Sequence, residues 1–520
     1  MHRRAAVLPF LCALSLLLGG FPASGQPAPL SGFDDYVNTA LRDWSVPGLA
    51  VAVVKDGKVV LSKGYGLRKV GETAPVDEHT LFSIGSISKS FTALALGLLV
   101  DEGKLSWDDP VSQYLPYLQL QDPYVTRELT IRDLLTHRSG LPEVSGGILW
   151  YGADYSREEA LKRIRYIKPV SSFRSTFAYQ NVMYMAAGEV VHAVSGKTWD
   201  DFIRERIFTP LGMNESNSLY RDLKKSKNLA LPHVRIDGRP VAIAYRDSDA
   251  LGPAGSIVSS VHDMVRYMQL LLAEGHHDGK RLYSEKVAGE LFTPQMLVPL
   301  RPSSRPELKA LNTRFNAYGL GWFLREYRGR TLVSHTGGMD GMSAVVMLVP
   351  EEKLGITVLS HQDGGVFNAM ALRVLDAYLG APPADWAGLL LKFRAEGEQK
   401  AKEAESALVA ARVQGTKPLL ELGRYAGSYR DRMYGDLSIA LENGRLVLRF
   451  SHSPSFTADL EHWQYDTFRL HWRDPMNFPR GFLTFSLDAK GKLKGFAFDQ
   501  PKLLDVNFDE LAVERVPEAR

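Results

Sequence analysis

A chain of 520 residues is longer than one hydrophobic core usually supports, so a large domain and a smaller companion are expected. With 45% hydrophobic and 23% charged residues, its balance is that of a soluble globular protein and argues against a disordered chain or a polytopic membrane protein. The formal net charge is only +3 and no dense Lys/Arg tract is present, which argues against a nucleic-acid partner and for a small-molecule or peptide substrate.

The chain opens with His2-Arg3-Arg4, an apolar run from Ala5 to Leu18, and the small residues Ala23-Ser24-Gly25 before Gln26. These are the three regions of a secretory leader spanning 1–25, which predicts a periplasmic or secreted protein without a transmembrane segment in the mature chain. The alternative, an uncleaved anchor, is disfavoured because the run is short for a span. Cys12 is the only cysteine and lies in this leader, so disulfides, thiol nucleophiles and thiolate metal sites are not expected in the mature protein.

Next come two β-prone runs, Leu49 to Val54 and Val59 to Leu61, split by Lys55-Asp56-Gly57-Lys58; Asp-Gly in that place predicts a hairpin. The stretch from Ser86 to Val100 is apolar nearly all round and predicts a core helix ending at Asp101-Glu102-Gly103. A second helical segment runs from Val182 to Val194, and strand character returns at Thr331 to Ser334, Ser343 to Val349 and Gly355 to Ser360. Sheet at both ends with helices between gives a mixed α/β or α+β domain at 33–380. Ala381-Pro382-Pro383 breaks the pattern and opens a charged linker helix within 381–417. From 418 to 515 the texture is all-β: Leu437, Ile439 and Leu441 alternate with polar residues, Asn443-Gly444 turns the chain, and Leu446, Leu448 and Phe450 alternate again, toward a small barrel.

Acyl transfer needs a nucleophilic oxygen, a group to take its proton, and donors for the oxyanion. Ser86 and Lys89 stand three apart on a predicted helix and therefore share a face. A lysine on the buried side of an apolar helix needs a reason, since burying an ammonium is costly. Tyr179-Gln180-Asn181 precedes the second helix; a phenol beside an ammonium can act as a base, and an amide can hold both a lysine and a substrate carbonyl. His335-Thr336-Gly337-Gly338 closes a strand, where glycine permits close backbone approach and a main-chain N–H can serve an oxyanion hole, although for these residues alone an ordinary glycine turn is the favoured reading. His137 is a further histidine that invites a catalytic role.

Taken in order, Phe82-Ser83-Ile84-Gly85-Ser86-Ile87-Ser88-Lys89-Ser90-Phe91-Thr92, Leu134-Leu135-Thr136-His137-Arg138-Ser139-Gly140-Leu141, Tyr179-Gln180-Asn181 and His335-Thr336-Gly337 resemble the motifs of the β-lactamase-related serine hydrolases. That family includes class C β-lactamases, penicillin-binding DD-carboxypeptidases, D-aminopeptidases and esterases. Pro210-Leu211-Gly212-Met213 and Gly252-Pro253-Ala254-Gly255-Ser256 look like further landmarks, and the tail is similar to the lipocalin-like barrel appended to some of its peptidases. The resemblance implies an antiparallel sheet with a helical subdomain and a small all-β barrel behind it, the barrel serving binding or homo-oligomerisation. It implies Ser86 as nucleophile, Lys89 and Tyr179 as proton carriers with the base left open between them, Asn181 as the orienting amide, and an oxyanion hole from the N–H groups of Ser86 and Gly338. It implies no metal and no cofactor, and a structural rather than catalytic His137.

One departure bears on substrate: the third motif begins with His335 where β-lactamases and DD-carboxypeptidases carry lysine. A neutral imidazole cannot pair permanently with a substrate carboxylate, so a peptidase or amidase, with D-residues as candidate substrates, ranks first, an esterase second and a β-lactamase third. A non-catalytic peptide or antibiotic binder is the rival outside enzymes.

Overall fold

The computed structural model describes residues 29–517 apart from Asn477 and Leu504, so the leader read at 1–25 lies outside the described residues. Helix α1 (Phe33–Trp44) leads into the hairpin of β1 (Gly48–Lys55) and β2 (Lys58–Gly66). Asp56 and Gly57 turn it at φ 52° and 74°, the paired positive φ that a two-residue hairpin loop requires. After a long helical excursion the chain returns to the same sheet as β3 (Met296–Leu297), β4 (Asn316–Tyr318), β5 (Phe323–Tyr327), β6 (Arg330–Met339), β7 (Met342–Val349) and β8 (Leu354–Ser360). All eight strands pair antiparallel, in the order β2-β1-β8-β7-β6-β5-β4-β3.

Both faces of this sheet are covered. In β1, Leu49, Val51 and Val53 join one core with α1, α4 (Val366–Tyr378) and the start of α5 (Trp386–Ala410). Ala50, Ala52 and Val54 face the opposite core, which holds α2 (Ser88–Asp101) and α3 (Asn181–Ser195). Burial on both sides is why the central strands read as unbroken apolar runs. Every residue of α2 from Ser88 to Leu99 is buried, as its all-round apolar sequence demands. Two expectations shift by small amounts. The α-helix begins at Ser88, with Ser86 in a preceding 3₁₀ turn, Gly85–Ile87. The His335–Gly338 segment is no turn: β6 continues through it to Met339, paired with β7 as Gly337↔Ala344 and Gly338↔Ser343.

Of α5 only Trp386 and Ala387 are buried, so most of it is a solvated rod leading to the second unit. There, eight strands from Gly427–Asp431 to Val513–Arg515 form a closed barrel, sealed where Tyr429 pairs with Arg515. Leu437 and Ile439 point inward as their alternation predicts, but Leu441 is 45% exposed, beside the Asn443-Gly444 turn. The barrel is not a tethered bead. Its core is continuous with that of α2 and α3 through Tyr151, Tyr155, Phe456, Val506 and Phe508. Polar clasps surround this junction: Ser453 donates to the Ile148 carbonyl (3.1 Å), Tyr155 to that of Tyr434 (3.1 Å), and Arg163 to that of Met433 (3.0 Å). Arg246 bridges Asp340 of the loop after β6 (2.7 Å) to Asp474 of the barrel (3.0 Å), all three side chains being largely buried.

Removing one partner of a buried ion pair strands the other charge. Arg246→Ala, which strands two carboxylates, is therefore expected to lower stability by about 3 kcal/mol in urea denaturation. A loss within about 0.5 kcal/mol, the range of ordinary surface substitutions, would show that the bridge does not secure the barrel.

Candidate active site

Gly85, at φ 49°, starts the tight turn that lifts Ser86 out of the core: Gly85 and Ile87 are buried while Ser86 is half-exposed. One turn later Lys89 is fully buried, and its Nζ lies 3.0 Å from Ser86 Oγ, 2.7 Å from Asn181 Oδ1 and 2.8 Å from the Ala254 carbonyl. The Ala254 segment is itself tied to α2, since Thr92 donates to the Pro253 carbonyl (2.6 Å) and the Ile257 N–H to Ser88 Oγ (3.1 Å). Burial drives the Lys89 amine down to about 7, with Asp505 opposing the shift. A neutral amine has two N–H donors and one lone pair. Asn181 Oδ1 and the Ala254 carbonyl can only accept, so the lone pair is left for the one partner that can donate, the Ser86 hydroxyl.

Asn181 is the first residue of α3 and buried. The segment before it is held by His137, whose Nδ1 accepts from the Gln180 N–H (2.9 Å) and whose carbonyl accepts from the Ala178 N–H (2.8 Å). The His137 ring packs 4.3 Å from that of Tyr179, and burial keeps it well below the usual histidine pKa. The loop carrying His137 is anchored by buried Asp133, which accepts from Arg138 (2.7 Å) and Arg174 (2.7 Å). His137 thus supports the Tyr179–Asn181 segment. The Tyr179 ring lies 4.7 Å from Lys89 Nζ. Its phenol is not acidified as a neighbouring ammonium would suggest; burial raises it well above the ordinary tyrosine range, the Ser86 hydroxyl pulling it back only in part.

The third motif lies against the Ser86 turn. A Cβ on Gly337 would fall on the Ile84 carbonyl, and one on Gly85 would sit 2.7 Å from the Gly338 nitrogen, so both positions must be glycine for β6 to reach Ser86. His335 faces Thr336 O through Nδ1 (2.6 Å) and the Tyr318 hydroxyl through Nε2 (3.0 Å). A carbonyl can only accept, so Nδ1 carries the proton and Nε2 accepts from Tyr318. Burial and the Lys89 charge hold His335 down to about 3, which keeps it neutral at physiological pH. Thr336 is exposed at the strand surface. Ser86, Lys89, Tyr179, Asn181 and the His335–Gly338 strand are therefore brought together. The Ala254 carbonyl, the Tyr318 hydroxyl and Asp505, whose carboxylate faces Asn181 and Lys89 from the barrel, were not foreseen. Elsewhere among the described residues, His79, Glu215 and His262 place three ligand-type atoms within 4.8 Å of one another on the surface, but His79 Nδ1 contacts Glu215 (2.7 Å) and Arg266 lies 3.2 Å from His262 Nδ1.

The sequence pattern of the Beta-lactamase family matches residues 33–379. The chain is a member of the Beta-lactamase family. Residues 411–515 match a domain of unknown function, DUF3471. Among curated relatives of this β-lactamase-family protein, Unguisins hydrolase ungD' of Aspergillus campestris is 29% identical over 84% of this chain and 82% of its own. Penicillin-binding protein 4 of Amycolatopsis lactamdurans is 28% identical over 66% of this chain and 91% of its own. Among solved structures, the octameric penicillin-binding protein homologue from Pyrococcus abyssi superposes with a TM-score of 0.61 at 24% identity, covering 91% of this chain and 98% of that one. That likeness shows the fold, barrel included. Among the described residues no helix is long and apolar enough to cross a membrane.

Gly337→Ala is expected to force β6 off the Ile84–Ser86 turn, costing about 1–3 kcal/mol of stability and most reactivity of Ser86 toward an acylating probe. Unchanged melting and labelling would show that the close approach is not required.

Proposed function

We propose that this β-lactamase-family protein is an exported serine hydrolase that forms an acyl-enzyme on Ser86 and cleaves amide or peptide bonds. The observation that carries the reading is Lys89, a fully buried amine held near neutrality with its lone pair directed at a half-exposed serine hydroxyl. A binding protein gains nothing from such a group, and a relative similar over most of both chains is named a hydrolase.

In the mechanism this supports, Ser86 Oγ attacks the substrate carbonyl while its proton passes to Lys89 Nζ. The developing oxyanion is held by the Ser86 and Gly338 N–H groups, which the glycine contacts bring to the same edge of the site. Asn181 fixes Lys89 and the substrate amide. Tyr179, whose phenol stays protonated, passes a proton to the departing amine and regains one from Lys89. Water then attacks the ester on Ser86 and returns its proton by the same groups, so that amide and water become acid and amine. Neutral His335 presents no standing positive charge for a substrate carboxylate, which favours amides, peptides and esters over penicillins. The leader read at 1–25 makes the enzyme an exported one, and the octameric Pyrococcus abyssi homologue extends the reading to a homo-oligomer.

Intact-mass analysis after exposure to a fluorophosphonate probe should show one adduct on the wild type and none on Ser86→Ala; equal labelling of both, or of neither, would make the chain a binder on an enzyme-like scaffold. Lys89 must be neutral to act as base, so the acylation rate with a p-nitrophenyl ester should rise with pH through about 7 and level off above it. Lys89→Met should remove that limb and slow acylation by about 10²–10⁴-fold. A profile rising instead toward the tyrosine range would transfer the base role to Tyr179.

A further inference from the structure

Away from the catalytic cleft the fold gathers His79, Glu215 and His262 from three separate segments: the loop before the strand Phe82–Ser83, the loop leading to Asn217, and the helix Val261–Leu272. Backbone pairing brings these segments together. Phe82 and Ser83 pair with Ser259 and Val258, Asn217 exchanges main-chain hydrogen bonds with Val258 (3.0 and 2.8 Å), and the His262 N–H donates to the Glu78 carbonyl (3.1 Å). The same ribbon presents the catalytic groups. Its first strand runs on into the Ser86 turn, its second follows the Ala254 segment, and the Ile84 N–H donates to the Ile257 carbonyl between them (3.0 Å).

Each member of the trio offers a ligand atom, and those atoms lie within 4.8 Å of one another. A zinc ion with bonds of about 2.1 Å sets its ligands about 3.4 Å apart, so small rotations of these partly exposed side chains close the set. Neither existing contact blocks it. The His79 Nδ1–Glu215 contact (2.7 Å) joins two of the three ligands through a proton, whose place a metal ion takes on binding. Arg266 Nη1 stands 3.2 and 3.3 Å from the two ring nitrogens of His262 and donates to that residue's own carbonyl (2.9 Å). In the ring plane, an atom so nearly equidistant from both nitrogens would collide with the carbon between them. Arg266 therefore lies over the ring face and leaves the in-plane lone pair free.

A second observation calls for a cation in the same place. Asp263 is 1% exposed, and its Oδ2 accepts from the Glu215 and Ser216 N–H groups (2.9 Å each). Its Oδ1 is buried without a hydrogen-bond partner, 3.7 Å from His262 Nδ1. Glu78 stands 3.7 Å from His79 Nε2. The carboxylates of Glu78, Glu215 and Asp263 are thus gathered around two imidazoles with the Arg266 guanidinium, 3.7 Å from Asp263, as the cation beside them. Desolvated anions in excess of their counterions are costly, and a divalent cation offsets that cost. Two imidazoles with a carboxylate suit Zn²⁺, whereas Mg²⁺ and Ca²⁺ take oxygen ligands.

We propose that His79, Glu215 and His262 bind one Zn²⁺ ion, with Asp263 behind them as counter-charge, and that the ion staples the base of the ribbon presenting Ser86 and the Ala254 carbonyl. The ion takes no part in the acyl chemistry at Ser86.

To test this, chelator-treated full-length protein is titrated with Zn²⁺ by calorimetry and melted with and without it, with Mg²⁺ and Ca²⁺ as comparison ions. One Zn²⁺ should bind per chain and raise the melting temperature by several degrees, with no comparable rise from Mg²⁺ or Ca²⁺. His79→Ala and His262→Ala should each weaken Zn²⁺ binding by about 100-fold, and His276→Ala, at an exposed histidine outside the cluster, should leave it unchanged. Co²⁺ should give visible absorption bands in the wild type that both cluster variants lose. Glu215→Gln, which keeps the shape of the side chain, should lower affinity about tenfold and serves where an alanine variant does not fold. A wild type that binds no stoichiometric Zn²⁺, or binding that survives His79→Ala and His262→Ala, overturns the site and leaves a hydrogen-bonded surface cluster.

Discussion

An amine buried in an apolar helix governs the architecture of the site. Lys89 can be taken out of water only where acceptors are already in place, and its own stretch of chain offers Ser86, in the 3₁₀ turn before α2. The Asn181 side chain and the Ala254 carbonyl must therefore be brought to it from two distant parts of the chain. The Ala254 segment is pinned to α2 by Ser88 and Thr92, and the start of α3 is pinned by His137. Satisfying one nitrogen in this way determines where Ser86, Tyr179 and Asn181 stand relative to one another.

A second constraint is steric. Strand β6 meets the Ser86 turn with no room for side chains, so Gly85 and Gly337 act as a matched pair, each removing the Cβ that would hold the other's backbone away. The eight-stranded sheet, buried on both faces, gives β6 the rigidity that such an approach needs. Electrostatics follows from the same tight packing: burial and the neighbouring Lys89 hold His335 in its neutral form, and desolvation of the Tyr179 phenol keeps its proton in place.

Much of this was legible in the residues because the relevant physics is local. The Ser86–Lys89 spacing, the unbroken apolar strands, the Asp56-Gly57 hairpin and the alternation of the barrel strands are each written within a dozen positions. What escaped is non-local or featureless. Every residue has a carbonyl, so nothing marks that of Ala254 as a lysine acceptor. His335–Gly338 reads as a strand end because glycine usually breaks strands, and the Ile84 carbonyl that makes glycine obligatory lies some 250 positions earlier. Asp505 sits in an irregular stretch whose course is set by Gly147 and by a shared core, neither visible from its neighbours. The Tyr179 phenol was expected to be acidified by the lysine; burial outweighs that attraction, and burial of a loop residue has no periodic signature.

The seam between the barrel and the hydrolase domain bears on how such a chain can change over time. An accessory domain on a flexible tether can be lost, duplicated or exchanged with little effect on the unit that carries it. Here Phe456, Val506 and Phe508 lie in the same core as Tyr151 and Tyr155, and a glycine has been hollowed out to seat the barrel's loop. A replacement barrel would have to reproduce that relief to within a methyl group. The seam couples the two units physically: a substitution where they touch has to suit both, a demand that their outer strands and surfaces escape.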